Sequence, residues 1–240
     1  MYHLLQEYKM FIEASNDMAY WSENFVKYNN KFIKLNQMQI DINESLNSNT
    51  ITKVVKSRQS GGTLFGCIAS LHYAIFNPHT KVGVNSFNYS MSIEILKTIE
   101  CLYKSIDIKY KPKLELVTND KICFDNGSEI LIVTPSSKSI TLNMLYVDEA
   151  AFNHYWDSLF KNIFPTLAMS KCKVLTISSH NPEAFEYNKF LKAKSNKSQL
   201  LLFPWYKSHL DANKIKEIRN IMSFKSFTNE YECGGDYFIL

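Results

Sequence analysis

The feature that most constrains the fold is an apolar segment that ends abruptly in two adjacent carboxylates. It spans Met144–Phe152 and reads Met-Leu-Tyr-Val-Asp-Glu-Ala-Ala-Phe. Such a segment is typical of a buried parallel strand with functional side chains at its carboxyl end, where open α/β sheets bind ligands. If the strand continued through Asp148 and Glu149, their side chains would point to opposite faces. A surface strand end in which Asp148 caps the next helix explains the segment equally well.

Two neighbouring carboxylates with separate roles suit a nucleotide hydrolase. Asp148 would then hold Mg²⁺, and Glu149 would polarise the attacking water. An upstream stretch favours this interpretation: Ile51–Val55 predicts a strand, and Leu64–Phe76 predicts an apolar helix. The loop between them, Lys56–Thr63, reads Lys-Ser-Arg-Gln-Ser-Gly-Gly-Thr. Strand, glycine-bearing loop and helix form the context that a phosphate-binding loop requires.

The loop departs from the strict phosphate-binding pattern G-x-x-x-x-G-K-[ST]. That pattern requires lysine where the chain has Gly62 and glycine where it has Lys56. The two glycines, Gly61 and Gly62, allow close backbone approach, and Thr63 is placed to bind Mg²⁺. By the strict pattern the match fails at the lysine.

Together the two stretches resemble the ATPase domain of the large terminase subunit, the DNA-packaging motor of tailed bacteriophages. That family's loop typically reads S-R-Q-x-G-K-T, which Ser57–Thr63 matches except at the lysine. Its acidic strand ends D-E-A/C-A-F, which Asp148–Phe152 matches. Some members, of the lambda type, carry the loop lysine at the first motif position, where Lys56 stands. The resemblance covers residues 20–235, nearly the whole chain.

The resemblance implies a role for each residue of the site. Glu149 orients the water, Lys56 binds phosphate, and Arg58 stabilises charge on the γ-phosphate in cis. Thr63 and Asp148 bind the metal. The residues expected to bind ATP are Gln39, Lys56, Ser57, Arg58, Gln59, Ser60, Gly61, Gly62 and Thr63.

Two weaker similarities carry alternatives. A family glutamine reads the adenine edge, and Gln39 fits that register best with Gln37 next; an exposed helical glutamine is the alternative. The run Ser178, Ser179, His180 and Asn181 is expected beside the γ-phosphate as a sensor that couples hydrolysis to movement. A capping turn before a helix from Pro182 explains that run as well. Residues 135–140 lack the arginine that the family usually carries before its acidic strand.

Alternating strands and helices predict a mainly parallel, three-layer α/β sheet. By resemblance this is a RecA-like P-loop NTPase of the ASCE class with a small lid subdomain. The predicted segments are an N-terminal helical part with the adenine-contacting glutamine (1–48), the ATPase core (49–181) and the lid (182–240). Residues 1–34 are expected to be helical, and an Asn-Gly pair predicts a hairpin of Lys121–Phe124 with Glu129–Val133. No acidic triad for the family's nuclease domain is present, so that domain is expected to be absent.

Composition excludes several other classes. Five scattered cysteines fit free thiols better than a disulfide framework or a zinc site. The N-terminus is unlike a signal peptide, and no apolar run approaches membrane-spanning length. We therefore expect a soluble, cytoplasmic protein. A net charge of +4 permits contact with nucleic acid but does not argue for it.

The function implied by the resemblance is an ATPase motor that hydrolyses ATP with Mg²⁺ to drive double-stranded DNA into a procapsid. The expected partners are double-stranded DNA, the portal protein, the small terminase subunit and further copies in a homo-oligomeric ring, a pentamer by resemblance. The place of action would be the host cytoplasm and, transiently, the portal vertex of the procapsid. Two alternatives stay open: a catalytically decayed P-loop module that only binds portal or DNA, and a helicase-type ATPase.

Overall fold

The computed structural model describes residues 2–137, 140–170 and 172–235. The strands are β1 (Lys27–Tyr28), β2 (Lys31–Phe32), β3 (Ile51–Lys56), β4 (Lys81–Asn85), β5 (Leu114–Val117), β6 (Lys121–Phe124), β7 (Glu129–Ile132), β8 (Met144–Asp148), β9 (Lys173–Ser178) and β10 (Ser198–Phe203). The α-helices are α1 (Tyr2–Asn16), α2 (Met18–Phe25), α3 (Gln37–Ser48), α4 (Gly62–Phe76), α5 (Tyr89–Ser105), α6 (Trp156–Ser170), α7 (Phe185–Lys192), α8 (Ala212–Ile221) and α9 (Phe224–Tyr231).

Eight strands form one sheet in the order β10-β3-β9-β8-β4-β7-β6-β5. All pairs from β10 to β7 are parallel, and the last two pairs are antiparallel. The predicted mainly parallel α/β sheet is therefore confirmed, as is the hairpin of β6 and β7. The strands β3, β9 and β8 are adjacent and parallel. The strand before the glycine-bearing loop, β3, and the acidic strand, β8, therefore end at the same edge of the sheet.

Side chains alternate between two buried layers along each central strand, as the period of a strand requires. Val54 and Tyr146 face the layer that contains α4 and α5, whereas Val55 and Val147 face the layer that contains α6 and α7. Helices thus cover both faces of the sheet, which explains why the central strands carry apolar side chains on both faces.

The N-terminal segment departs from the expected continuous helix. Asp17 interrupts it by accepting hydrogen bonds from Ala19 N and Tyr20 N at the start of α2. Residues 27–32 form the antiparallel pair β1 and β2, so the helical prediction is wrong there. Asn29 and Asn30 make the turn with φ of 51° and 62°, and asparagine tolerates this left-handed region better than most residues.

The C-terminal segment contributes to the central sheet as well as to a smaller layer. β10 pairs in parallel with β3, so the predicted boundary after residue 181 is wrong for this strand. The strand is only partly buried because it lies at the edge of the sheet. Beyond it, α8 and α9 enclose a separate cluster of Ile215, Phe227 and Tyr231. We call residues 204–235 the lid.

Among the described residues, no helix has the length and apolar character needed to cross a membrane. All five cysteines are free thiols.

Candidate active site

A cavity of about 630 Å³ opens at the sheet edge where β3, β8 and β9 end. Its size lies within the range of pockets that enclose small ligands. Five residues predicted for the site line it: Arg58, Thr63, Asp148, Glu149 and Ser179. The remaining wall is formed by Phe87, Met91, Glu94, Ile95, Thr98, Phe152, His154 and Glu230.

The loop after β3 turns sharply into the amino terminus of α4. Ser60 Oγ donates to Ser57 O over 2.8 Å, and Gln59 adopts a φ of 58° at the exposed tip. Gly61 has a φ of 85°, which glycine adopts without the clash that a β-carbon would cause. The amino terminus of α4 therefore directs backbone N–H groups and Thr63 toward the cavity, an arrangement that binds anions.

Lys56 lies beneath this loop and reaches the acidic strand. Its Nζ is 2.9 Å from Glu149 Oε1, and its side chain is only 5% exposed. A β-carbon at Gly62 would lie 3.0 Å from Lys56 Cε and 2.8 Å from Ile177 Cγ2. The aliphatic part of the Lys56 side chain therefore occupies the space that a side chain at position 62 would need. The two departures from the strict pattern, Lys56 and Gly62, thus complement each other.

Asp148 ends β8 as a buried carboxylate beside Thr63. Thr63 Oγ1 lies 3.0 Å from Oδ2 and 3.3 Å from Oδ1. Burial, and next the charge of Glu149, raise the pKa of Asp148 to about 6, so an unneutralised negative charge is unfavourable here. A bound cation would offset that cost.

The donor set fits Mg²⁺, which prefers hard oxygen ligands. No group of three or more His, Cys, Asp and Glu side chains within the described parts of the chain could hold a metal ion. A Mg²⁺ bound by Thr63 and Asp148 would therefore take its other ligands from phosphate and water, as is common for this ion.

Glu149 does not continue the strand, so the expectation of opposite faces does not apply to it. Its φ of 45° and ψ of 45° turn the chain into the short 3₁₀ helix Ala150–Phe152. Its Oε2 lies 3.3 Å from Ser179 N and 3.4 Å from Ser178 Oγ. Left-handed backbone at a non-glycine residue costs on the order of 1–3 kcal/mol and is concentrated at functional sites. The turn brings Glu149 into the same cavity as Asp148.

The four predicted sensor residues divide among three neighbours. Ser178 and Ser179 lie at Glu149, whereas Asn181 Nδ2 donates to Ala151 O over 2.9 Å. Asn181 Oδ1 also accepts from Glu183 N in the turn before α7. The helix begins at Phe185 with Ala184 as its N-cap, so Asn181 does not cap a helix from Pro182 as the alternative supposed.

The fourth sensor residue, His180, is buried against the lid. A β-carbon at Gly234, where φ is 86°, would lie 2.6 Å from His180 Cδ2. The sensor stretch therefore contacts the site on one side and the lid on the other.

Arg58 faces the lid through Glu230, a residue that the sequence did not single out. Its Nη1 is 3.3 Å from Glu230 Oε1, and its backbone N donates to Glu230 O over 2.8 Å. A weak similarity to the family in the Phe-Thr-Asn-Glu-Tyr stretch, residues 227–231, is the only sequence signal for this contact. The role of Arg58 at the γ-phosphate stays a prediction.

Gln39 is buried behind the loop, and both ends of its amide are engaged. Its Nε2 donates to Gly61 O over 2.9 Å, and its Oε1 accepts from Asn36 N over 2.9 Å. The alternative, Gln37, donates to Asp41 at the surface. Gln39 thus supports the phosphate loop here, and contact with adenine, which stays a prediction, would require exchange of these bonds.

Sequence reasoning also missed Tyr146, whose hydroxyl donates to Asp148 Oδ1 over 2.6 Å. A hydroxyl two residues before the acid in an otherwise apolar strand was the available signal, because i and i+2 share a face.

No family model and no curated protein matches this sequence. Solved structures do match. The Thermus phage P74-26 large terminase ATPase domain superposes with a TM-score of 0.66 at 16% identity, over 83% of this chain and 93% of that one. The large terminase of a thermophilic bacteriophage, in complex with ADP, gives 0.64 at 11% identity, over 82% and 53%. The HK97 bacteriophage large terminase gives 0.62 at 12% identity, over 92% and 51%.

The chain thus has the fold of large terminase ATPase domains, as the sequence predicted. It spans nearly all of the isolated ATPase domain but only about half the length of the other two terminases.

Proposed function

We propose that this chain is the ATP-hydrolysing motor domain of a phage large terminase. One observation carries the proposal: on this fold, Thr63 and the two carboxylates at the end of β8 line one cavity, and the loop cation Lys56 pairs with Glu149. Phosphoryl transfer depends mainly on positioning and on charge neutralisation, and these groups supply both.

The triphosphate would bind at the amino terminus of α4, with Lys56 beneath it. Backbone amides alone leave much of the phosphate charge unneutralised, so a lysine in this position is needed. Lys56 now pairs with Glu149, and phosphate oxygens would compete for its Nζ. Arrival of ATP would thereby release the carboxylate to act on water.

Glu149 would accept a proton from the attacking water or orient it. Ser178 and Ser179 N hold its Oε2, which limits the directions the carboxylate can take once Lys56 has moved toward phosphate. Thr63 and Asp148 would hold Mg²⁺, which when bound would neutralise charge on the β- and γ-phosphate oxygens. Arg58 would add charge at the γ-phosphate in cis.

Work would pass through the lid, because the site and the lid share contacts. His180 packs on Gly234, and Arg58 pairs with Glu230. We propose that nucleotide-driven movement between core and lid translocates double-stranded DNA held by a homo-oligomeric ring at the portal protein. The small terminase subunit would be a further partner, and the host cytoplasm the place of action.

The test is steady-state ATP hydrolysis with and without double-stranded DNA, for wild type, Glu149→Gln and Glu129→Gln. Glu129 pairs with Lys81 over 2.7 Å and does not line the cavity, so it is a matched ion-paired control. We expect Mg²⁺-dependent turnover that only Glu149→Gln abolishes. An inert wild type would instead support the decayed module, and strand separation coupled to turnover would support a helicase.

A further inference from the structure

The hydroxyl of Tyr146 donates a hydrogen bond to the carboxylate of Asp148, the proposed metal ligand. Tyr146 precedes Asp148 by two positions on β8, so both side chains lie on one face. The tyrosine is fully buried, and its hydroxyl donates to Asp148 Oδ1 over 2.6 Å, a length typical of charge-assisted bonds.

The helix above the strand is shaped around this tyrosine. Gly66 lies inside α4, where glycine is normally unfavourable, and a β-carbon there would overlap the Tyr146 ring. The absence of a side chain at Gly66 leaves space for an aromatic ring at position 146, and phenylalanine would need the same space. It does not explain why the ring carries a hydroxyl, whose partner is Asp148.

Asp148 is consequently held by two hydroxyls from different elements. Tyr146 bonds Oδ1, whereas Thr63 lies closer to Oδ2, at 3.0 Å against 3.3 Å. The terminal torsion of an aspartate is broad, so a carboxylate without such a bond turns easily. With Oδ1 engaged by the tyrosine, Oδ2 is the oxygen closer to Thr63.

We propose that Tyr146 is a positioning residue that orients the Asp148 carboxylate for the divalent cation bound with nucleotide. The inference rests on the proposed function, because it presupposes a metal at Thr63 and Asp148. Loss of a hydrogen-bond partner of a metal ligand typically lowers metal affinity by roughly 10–100-fold, which sets the scale of the expected effect.

The test is Tyr146→Phe, which keeps the ring in the Gly66 hollow and removes only the hydroxyl. Mn²⁺ binding in the presence of ADP is measured by electron paramagnetic resonance, and ADP binding in EDTA by fluorescence polarisation. We expect Mn²⁺ affinity to fall by about tenfold while metal-free ADP affinity stays unchanged. The Mg²⁺ concentration for half-maximal turnover should rise by the same factor, with kcat at saturating Mg²⁺ little changed.

Tyr187→Phe is the matched control. Tyr187 is also fully buried and donates its hydroxyl to Thr176 Oγ1 over 3.2 Å, on the opposite face of the sheet. Both variants lose one buried hydrogen bond, and the melting temperature of each variant measures that structural cost separately from the metal dependence. Only Tyr146→Phe should shift the metal dependence.

A second measurement guards against misfolding. Unchanged metal-free ADP affinity and a cooperative thermal transition show that Tyr146→Phe is folded, so its loss of Mn²⁺ affinity then reports on the missing hydroxyl. Unchanged Mn²⁺ affinity in Tyr146→Phe, or an equal loss in Tyr187→Phe, would overturn the positioning role alone. A wild type without metal-dependent ADP binding would overturn the proposed function, and this inference with it.

Discussion

The carboxylates at the end of β8 and the loop after β3 border the same cavity, but different parts of the molecule hold them. Core residues hold the carboxylates: Tyr146 and Thr63 bond Asp148, while Lys56 and Ser179 bond Glu149. All of these lie on the central strands, on α4 or directly after β9.

The loop is held by the edge of the sheet, by α3 and, unlike the carboxylates, by the lid. Ser57 N donates to Phe203 O, and Arg58 N donates to Glu230 O, each over 2.8 Å. Gln39 supports the far end of the loop from α3. We infer a fixed half that carries the chemistry and a half whose position follows the lid. Changes in the first half should therefore have the larger effects.

Glu149→Gln tests the fixed half most directly and should have the largest effect. Loss of a proton acceptor from the transition state typically costs roughly 10²–10⁴-fold in rate, so turnover should fall by at least about a hundredfold. Nucleotide affinity should stay within a few-fold, because the carboxylate contributes little to ground-state binding. Single-turnover hydrolysis and equilibrium binding of ATP measure the two quantities. Loss of ATP binding, or near-normal turnover, would contradict the role.

Lys56→Ala should follow, with a loss of about two orders of magnitude in turnover, because a buried charge at the phosphates is removed. Lys81→Ala, which breaks the Lys81–Glu129 pair instead, is the control. Wild-type rates in Lys56→Ala would show that the lysine does not serve the phosphates.

The substitution Gly62→Lys tests whether a lysine at position 62 and Lys56 would need the same space. Gly62→Lys in the wild-type background should fail to raise turnover, because the new side chain would meet the Lys56 stem. In the Lys56→Ala background that stem is gone, so Gly62→Lys should restore part of the rate, although Ile177 Cγ2 would still have to adjust. If Gly62→Lys changed kcat by the same factor in both backgrounds, the two lysine side chains would not compete for one space.

Asp148→Asn should have an intermediate effect, on stability and with a defined pH dependence. The folded-state pKa of Asp148 is raised from 3.8 to about 6, so its contribution to stability is present below pH 3.8 and lost as pH rises through 6. Asparagine stays neutral. The metal-free variant should therefore be more stable than wild type at about pH 8, by up to about 3 kcal/mol, and this advantage should shrink toward about pH 5.

Urea unfolding in EDTA at the two pH values measures the Asp148→Asn effect. A stability difference that is the same at both pH values would show that the charge of this carboxylate is not unfavourable in the metal-free fold.

Glu230→Gln tests the loop half and should have the smallest effect. Arg58 is 63% exposed, so its ion pair with Glu230 should contribute less than about 1 kcal/mol to the free energy of unfolding. The backbone bond from Arg58 N would remain. Urea unfolding measures this, and a loss above about 2 kcal/mol, beyond the range of exposed ion pairs, would mean that the lid side chain, and not the backbone, secures the loop.

Much of this architecture follows from local patterns in the chain. Apolar runs predicted β3 and β8, and the polar glycine-bearing loop before an apolar helix predicted the turn into α4. The strand–helix alternation predicted a mainly parallel sheet. These signals act over a few residues, through side-chain periodicity and turn preferences, so they can be read without knowing the strand order.

The contacts that complete the site depend on strand order and on close packing, which local patterns do not encode. That Lys56 reaches Glu149 follows from β9 lying between β3 and β8, and it requires the empty space at Gly62. The left-handed turn at Glu149 is opposed by its own local preference and is held by its neighbours.

The bond from Tyr146 to Asp148 likewise exists because Gly66, distant in sequence, leaves room for the ring. Local patterns in the chain indicated that Lys56, Thr63, Asp148 and Glu149 reach this edge of the sheet, but they did not reveal Tyr146 or Glu230. Which of those groups touch was settled by the packing of strands and helices that lie far apart in the sequence.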